Sequence, residues 1–487
     1  MKKSLNSSVI IEKQPSVLFV ASEANPFAGT GGLADVIGSL PKAIAKNGNY
    51  DVRVVIPLYK DFSALYRDKL NFVGNYNVPL SWRNQYAGVF SIKKDNVTYY
   101  FIDNEYYFKR DGLYGFYDDG ERFAFFSKAS LHLMEYLDFY PDILHAHDWQ
   151  SALSVVYLKT LFSQNSKFSN IKTMFTIHNI EYQGKYGKDV LGDLLGLENY
   201  YNDLEFDGIV NLMKGAMVLA DKVSTVSPSY AEEIKYDFFS HGLSPITNML
   251  SYKTLGILNG IDVNLYNPSK DDYLFEKFSA KDMSGKKVCK KELQKMLCLP
   301  EREDVPMVAM ISRLVAHKGL DLVKAIVNEF LCEDVQLVIL GKGEAQYEEF
   351  FKHIQEEYPS KCRTIIAYNK DLSSKIYSGA DIFLMPSKQE PCGLSQMIAC
   401  RYGTVPVVRR VGGLKDSITP YNENRKKGNG FAFNNYNAHE MLFVLKDAIF
   451  TYKNSEEWDK IVKCAMKTDF SWKKSSLSYE HTYNELL

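Results

Sequence analysis

The sequence predicts an α/β protein of two Rossmann-like, doubly wound parallel-sheet domains facing a cleft, and three observations carry that expectation. Short apolar runs of strand length alternate with amphipathic, helix-length segments over most of the chain. The alternation pauses once, in the charged, weakly apolar stretch 263–305. A length of 487 residues also exceeds what one hydrophobic core normally serves.

Strands of the first half are expected at "SVLFVAS", "DVRVVIP", "VTYYFID", "DILHAH", "KTMFTIH" and "KVSTVS". Between them, "ERFAFFSKASLHLMEYL" reads as one helix and "LADVIGSLPKAIAKNG" as another, the latter stopped by Gly48. The domain change is placed near Leu255, just before the pause. Beyond it, "MVAMISR", "VQLVILG", "TIIAYN", "DIFLMPS" and "VPVVRRV" supply the second sheet. In open parallel sheets ligands bind beyond the carboxyl ends of the strands, so the chemistry belongs in the loops that follow them.

Composition narrows the class. With 46% hydrophobic and 24% charged residues and a formal net charge of -1, the chain lacks the basic excess that nucleic-acid binding requires. No apolar run approaches the roughly 20 residues of a membrane span. The lysine-led start "MKKSLNSSVIIEKQPS" is broken by Glu12, Lys13 and Pro15 and reads as a flexible tail, 1–15, rather than a signal peptide, so a cytoplasmic home is expected. The 7 cysteines lie between Cys289 and Cys464 without a CxxC pair, which argues for reduced thiols over disulfides or a zinc knuckle.

Several loops carry candidate chemistry. In "NPFAGTGGLADV" the glycines Gly31 and Gly32 permit close backbone approach before a helix whose first turn holds Asp35. The loop is either a tight turn or one wall of a site for a phosphorylated ligand. His145 and His147 alternate in "HAHDW", but no third ligand at metal spacing accompanies them. "FTIHNIEYQG" closes an apolar strand with His178 and Asn179, followed by Tyr182, Gln183 and Gly184, a polar and aromatic set suited to sugar hydroxyls. "SRLVAHKGLDL" sets Arg313 and Lys318 around a strand end, where two cations could grip a diphosphate. "MPSKQEPCGLSQM" offers Glu390 in a post-strand loop, with Cys392, Gly393 and Leu394 opening a helix. "LVILGKGE" lacks the third glycine of a dinucleotide fingerprint. The pattern GGLxD occurs twice, at Gly31 and at Gly412.

Taken in order, TGGLADV, HAHDW, TIHN..YQG, VSPSYA.EI, LNGID, SRL...KG, EPCGLSQ and GTVPVVRR..GGL.D resemble the bacterial and plant glycogen and starch synthase family, retaining glucosyltransferases of the GT-B fold. The resemblance implies transfer of glucose, usually from ADP-glucose, to the non-reducing 4-hydroxyl of an α-1,4-glucan, with no metal and no cofactor. It implies that Arg313 and Lys318 hold the diphosphate, His178 orients the donor glucose and Glu390 binds its hydroxyls. Cys392, Gly393 and Leu394 would lie beside Glu390, and Gly31, Gly32, Asp35, Tyr114, Asn179 and Asn259 would complete the pocket. It further implies a first domain of residues 16–254, completed by a terminal helix 470–487, and a nucleotide-sugar domain of residues 255–469, closing on each other around the substrates.

One position departs from the pattern. The family's loop reads KTGGL, and its lysine contacts the donor; here Gly29 stands in its place. A lost charge-assisted hydrogen bond costs roughly 1.5–3 kcal/mol. An active enzyme with altered donor affinity is therefore expected, with a weakly active glucan-binding or regulatory paralogue as the alternative.

Overall fold

The computed structural model describes residues 14–421 and 427–487. The expected tail, but for Gln14 and Pro15, lies outside the described residues. By contact the chain forms two compact units, one of residues up to Ile177, Tyr182–Val223 and Ser476–Leu487, the other of His178–Glu181 and Ser224–Ser475.

In the first unit one sheet contains β1 (Ser16–Val20), β2 (Asp51–Pro57), β3 (Asn71–Leu80), β4 (Arg83–Lys94), β5 (Val97–Asp103), β6 (Ile143–His147) and β7 (Lys172–Ile177). These strands run in the order β7-β6-β1-β2-β5-β4-β3. Pairing is parallel from β7 to β5 and antiparallel through β4 and β3. Every residue of β1 and β6 is buried, which is why both read as unbroken apolar runs rather than alternating ones.

Two expectations are corrected here. The β3–β4 hairpin was not anticipated, because many of its side chains are exposed or half-buried and its apolar signal is diluted. The single helix read from "LADVIGSLPKAIAKNG" is two, Gly32–Ile37 and Leu40–Asn47. Pro41 near the start of the second has no N–H to continue the first. A Cβ at the intervening Gly38 would lie 2.5 Å from Asn25 O, so the glycine-rich loop is packed against the break. Gly48 does cap the second helix in the left-handed region, at φ 79°.

The end of the chain is fastened to this unit by polar contacts. Asn47 Nδ2 donates to Glu480 Oε1 at 2.6 Å, Tyr50 OH to Asn484 Oδ1 at 2.5 Å, and Tyr483 OH lies 2.7 Å from His145 Nδ1.

The second unit holds β8 (Met307–Ile311), β9 (Gln336–Gly341), β10 (Cys362–Ile366), β11 (Ile382–Met385), β12 (Val405–Arg409) and β13 (Phe431–Phe433). They form a six-stranded, wholly parallel sheet in the order β10-β9-β8-β11-β12-β13. Strand order reverses between β8 and β11, so the loops after these two strands flank the switch point, where a doubly wound sheet opens a crevice. Segment 224–254 packs with this unit: Ser229 N and Oγ donate to Asp416 at 2.7 and 2.6 Å, and Gly412 N donates to Glu233 Oε1 at 2.8 Å. No helix among the described residues is long and apolar enough to cross a membrane.

Candidate functional site

Two constellations lie at strand ends, one in each unit. In the first unit the loop after β1 is gathered by Glu23, a buried carboxylate. Thr30 donates to it twice, from N to Oε2 at 2.5 Å and from Oγ1 to Oε1 at 3.1 Å. Tyr114 OH donates to Oε1 at 2.6 Å and sits 2.7 Å from Ser22 Oγ. Burial and the Glu23 carboxylate push the Tyr114 phenol well above its ordinary pKa, so it remains a donor. Asp35 accepts from Asn25 Nδ2 at 2.7 Å.

Beyond this hub the loop is open. Gly31, Gly32 and Thr30 are exposed, and a Cβ built at Gly31 or Gly32 meets nothing within 4 Å. Gly31 is also extended, at φ -166°, a conformation any residue adopts. The protein's own packing thus requires neither glycine. Gly29 differs: a Cβ there would fall 2.2 Å from Ala34 Cβ, so a side chain at 29 needs the backbone to move.

In the second unit the residues predicted from "SRLVAHKG" and "KQEPCGL" meet across the switch point. Lys318 Nζ donates to both oxygens of the buried Glu390, at 3.0 and 2.8 Å, and Ser387 Oγ donates to Oε2 at 2.9 Å. The loops themselves are laid together: Lys388 N donates to His317 O at 2.9 Å, and Gly319, at φ 74°, passes so near Pro386 O that a Cβ would lie 2.0 Å away. Arg313 is exposed, and its guanidinium makes no hydrogen bond or ion pair among the described residues. Cys392 is buried, its thiol pushed up to about 12 by burial and hence unreactive. Gly393 takes φ 71° ahead of the helix Ser395–Arg401, with Leu394 at its N-cap. The side-chain oxygen Oδ1 of Asn259 is buried without a hydrogen-bond partner among the described residues.

His178 and Asn179 follow β7. The His178 ring is lodged where burial lowers its pKa to about 3, so the imidazole is neutral at any physiological pH. Asn179 Oδ1 accepts from Glu181 N at 3.0 Å. His145 is otherwise occupied, its ring nitrogens within 2.7 Å of Tyr483 OH and 2.6 Å of Thr176 Oγ1. Gly341 and Gly343 of "LVILGKGE" serve packing, since a Cβ on them would lie 2.1 Å from Ser312 O and 2.2 Å from Leu314 O.

Sequence reasoning missed Glu23, Ser387 and His317. Glu23 lies in the quoted "VASEANPF", and a carboxylate directly after an apolar strand was the available signal. His317 is half-buried beside the cations, and burial, then Lys318 and Arg313, lower its pKa.

Comparison with known proteins places this geometry in context. A family model described as the starch synthase catalytic domain matches residues 16–249, and one for group 1 glycosyl transferases matches residues 298–463. A glycogen synthase of Bacillus cereus (strain Q1) is 46% identical over 475 residues, 97% of this chain and 100% of the relative. One from Desulforamulus reducens is 47% identical over 474 residues, covering 97% and 98%. Among solved structures, the catalytic domain of Starch Synthase IV from Arabidopsis thaliana, bound to ADP and acarbose, superposes with a TM-score of 0.91 at 33% identity, over 97% of this chain and 99% of that one.

Proposed function

The chain belongs to the glycogen and starch synthase family of GT-B glycosyltransferases, and from that membership we propose that it transfers glucose from ADP-glucose to the non-reducing 4-hydroxyl of an α-1,4-glucan with retention of configuration. The observation that carries the reading is the junction of Lys318 with Glu390 at the switch point. A cation for phosphate and a carboxylate for sugar hydroxyls within one hydrogen bond of each other is the adjacency a nucleotide-sugar requires.

Arg313 and Lys318 take the diphosphate and offset the charge that develops as it leaves. These side-chain cations fill the place a divalent ion takes in other transferases, so the reading includes no metal and no cofactor. Neutral His178 orients the donor glucose by hydrogen bonding rather than by charge. Glu390, held by Ser387, accepts from glucose hydroxyls, while the backbone at Cys392, Gly393 and Leu394 borders the phosphates. Asp35, Tyr114, Asn179 and Asn259 are read as further substrate contacts, and Gly31 and Gly32 leave room for the ligand beside the loop backbone. No carboxylate is assigned as nucleophile; Ile398 stands eight residues after Glu390, and front-face attack through an oxocarbenium-like ion pair fits the residues present. The functional domains are read as residues 16–254 with the terminal helix 470–487, and 255–469; the protein is read as cytoplasmic, like a bacterial glycogen synthase.

Glucose incorporation into glycogen, measured with ADP-glucose and UDP-glucose in parallel, tests the reading. Elongation with ADP-glucose preferred is expected, and no elongation with either donor overturns it. Gly29→Lys belongs in the same assay. Because its Cβ collides with Ala34, the added lysine is expected to improve donor KM less than the roughly 10- to 150-fold that a free charge-assisted bond would give. The paralogue alternative is not favoured, since identity runs the length of the chain and Arg313, Lys318 and Glu390 are all present.

A further inference from the structure

The turn between β8 and the helix Leu320–Cys332 carries a third titratable side chain, His317, which stands in the chain between Arg313 and Lys318. Its backbone is fixed. His317 O accepts from Lys388 N at 2.9 Å, and the neighbouring Ala316 N donates to Glu344 Oε1 at 3.3 Å. The imidazole itself is half-buried and makes no hydrogen bond, ion pair or ring contact among the described residues. Both ring nitrogens are thus available to a ligand that enters beside the two cations.

The charges acting on this ring come from four residues. Lys318 and Arg313 oppose its protonation, while Glu181 and Glu390 favour it. Burial and the cations prevail and hold the imidazole below its ordinary 6.5, so it is neutral at pH 7. The other charged groups packed at the turn are engaged elsewhere. Glu344 Oε2 accepts from Gln346 Nε2 at 2.7 Å, and the Lys388 ammonium lies 5.3 Å from the centroid of the Phe238 ring.

The positive charge at this strand end is smaller than two cations suggest. Lys318 is bound to both oxygens of Glu390, which leaves Arg313 as the cation without a counter-charge among the three. The diphosphate of a nucleotide-sugar carries one negative charge on each phosphate. Arg313 alone does not balance that pair, and a neighbouring imidazole gains reason to charge when the phosphates arrive.

We propose that His317 is a donor-binding residue whose neutral imidazole takes one proton from solvent as the diphosphate arrives beside Arg313 and Lys318, and as imidazolium donates a charge-assisted hydrogen bond to a phosphate oxygen. The proton returns to solvent when the diphosphate leaves. Donor affinity is thereby tied to pH. Binding raises the imidazole's pKa, so the added affinity is present on the acid side and is lost as pH rises through the value in the complex. The inference rests on the synthase reading, which makes a nucleotide-sugar the ligand of this turn.

The test is calorimetric binding of ADP-glucose, and of UDP-glucose in parallel, to the full chain without acceptor. Both phosphates of these donors are diesters and lack the second ionisation near pH 6 of a terminal phosphate, so the ligand adds no titration of its own. Runs in two buffers of unlike ionisation enthalpy are expected to show net proton uptake near pH 7, and Kd is expected to be about 3- to 10-fold weaker at pH 8 than at pH 6. His317→Gln is expected to flatten that profile, falling behind wild type at pH 6 and converging with it as pH rises. His317→Lys, a permanent cation, is expected to bind at pH 8 as wild type binds at pH 6. A Gln variant weakened equally at every pH marks a structural role and overturns the proposal, as do parallel profiles for the two proteins. Should the Gln variant lose its circular dichroism spectrum, His317→Asn takes its place, and absence of proton uptake in the wild type overturns the proposal without any variant. Donor binding and chain elongation with a flat pH profile overturn this proposal alone; a wild-type chain that binds neither donor overturns the synthase reading with it.

Discussion

The pattern GGLxD occurs at Gly31 and again at Gly412, and the two copies use their glycines for opposite purposes. At the first, a methyl group on Gly31 or Gly32 would meet open space. At the second, a Cβ on Gly412 would lie 2.0 Å from Glu390 O, and one on Gly413 would lie 2.2 Å from Cys392 O. There the glycines let the helix Gly412–Ser417 press its start against the loop that carries Glu390. The aspartates diverge in the same way. Asp416 clasps Ser229 through two hydrogen bonds, whereas Asp35 accepts from Asn25 within its own loop. Identical letters thus give a packing joint in one place and an open loop in the other, and what decides is the backbone standing opposite.

The contrast breaks most visibly at the packed copy. Gly413→Ala forces a methyl into a backbone contact and is expected to cost about 1–3 kcal/mol, with Tm lowered by roughly 2–10 °C. Scanning calorimetry of this variant beside Gly32→Ala reads both copies at once; equal melting would dissolve the distinction.

Glu233, which accepts from Gly412 N, ties the same joint to pH. Burial pushes its carboxyl up to about 7. The folded chain therefore keeps a proton that the unfolded chain releases near pH 4.5. Stability from this group is complete below that pH and declines as pH rises toward 7. Glu233→Gln removes the titration, so its stability relative to wild type is expected to rise by about 1–3 kcal/mol between pH 4.5 and 8. Urea midpoints that run parallel for the two proteins across this range would refute the assignment. A smaller effect is expected from Asp416→Asn, about 1–2 kcal/mol at neutral pH by urea unfolding, because it weakens charge-assisted bonds to Ser229.

The same contrast explains which parts of the molecule were legible in the sequence. Strands β1, β6, β8 and β9 announce themselves because they are buried on both faces and read as continuous apolar runs. Arg313, Lys318 and Glu390 were singled out because each follows such a run closely. Glu23 was not, because its role consists of contacts to Thr30 and to distant Tyr114, which no local pattern encodes. Charge misled in "GKKVCKKELQK". It reads as charged and weakly apolar, yet Lys286 is buried and donates to Ser378 O, Ala380 O, Tyr402 O and Thr404 Oγ1, and burial lowers its pKa to about 8. Lysines that satisfy buried carbonyls are indistinguishable in sequence from lysines in water. The two GGLxD copies carry the same limit, since nothing within five letters says which glycine has a neighbour.

The smallest expected change in stability is at the open copy, and it is the most informative. Gly32 begins a helix and has room for a methyl, so Gly32→Ala is expected to stay within about 0.5 kcal/mol of wild type. Its cost is expected in donor binding instead, because the methyl takes space that lets a ligand approach the loop's backbone N–H groups. Losing one charge-assisted contact there corresponds to a KM for ADP-glucose roughly tenfold or more above wild type. Unchanged melting with raised KM separates a glycine kept for a ligand from one kept for packing. Unchanged melting with unchanged KM would mean that neither purpose holds at Gly32 and that Glu23 and Tyr114 alone account for this half of the site.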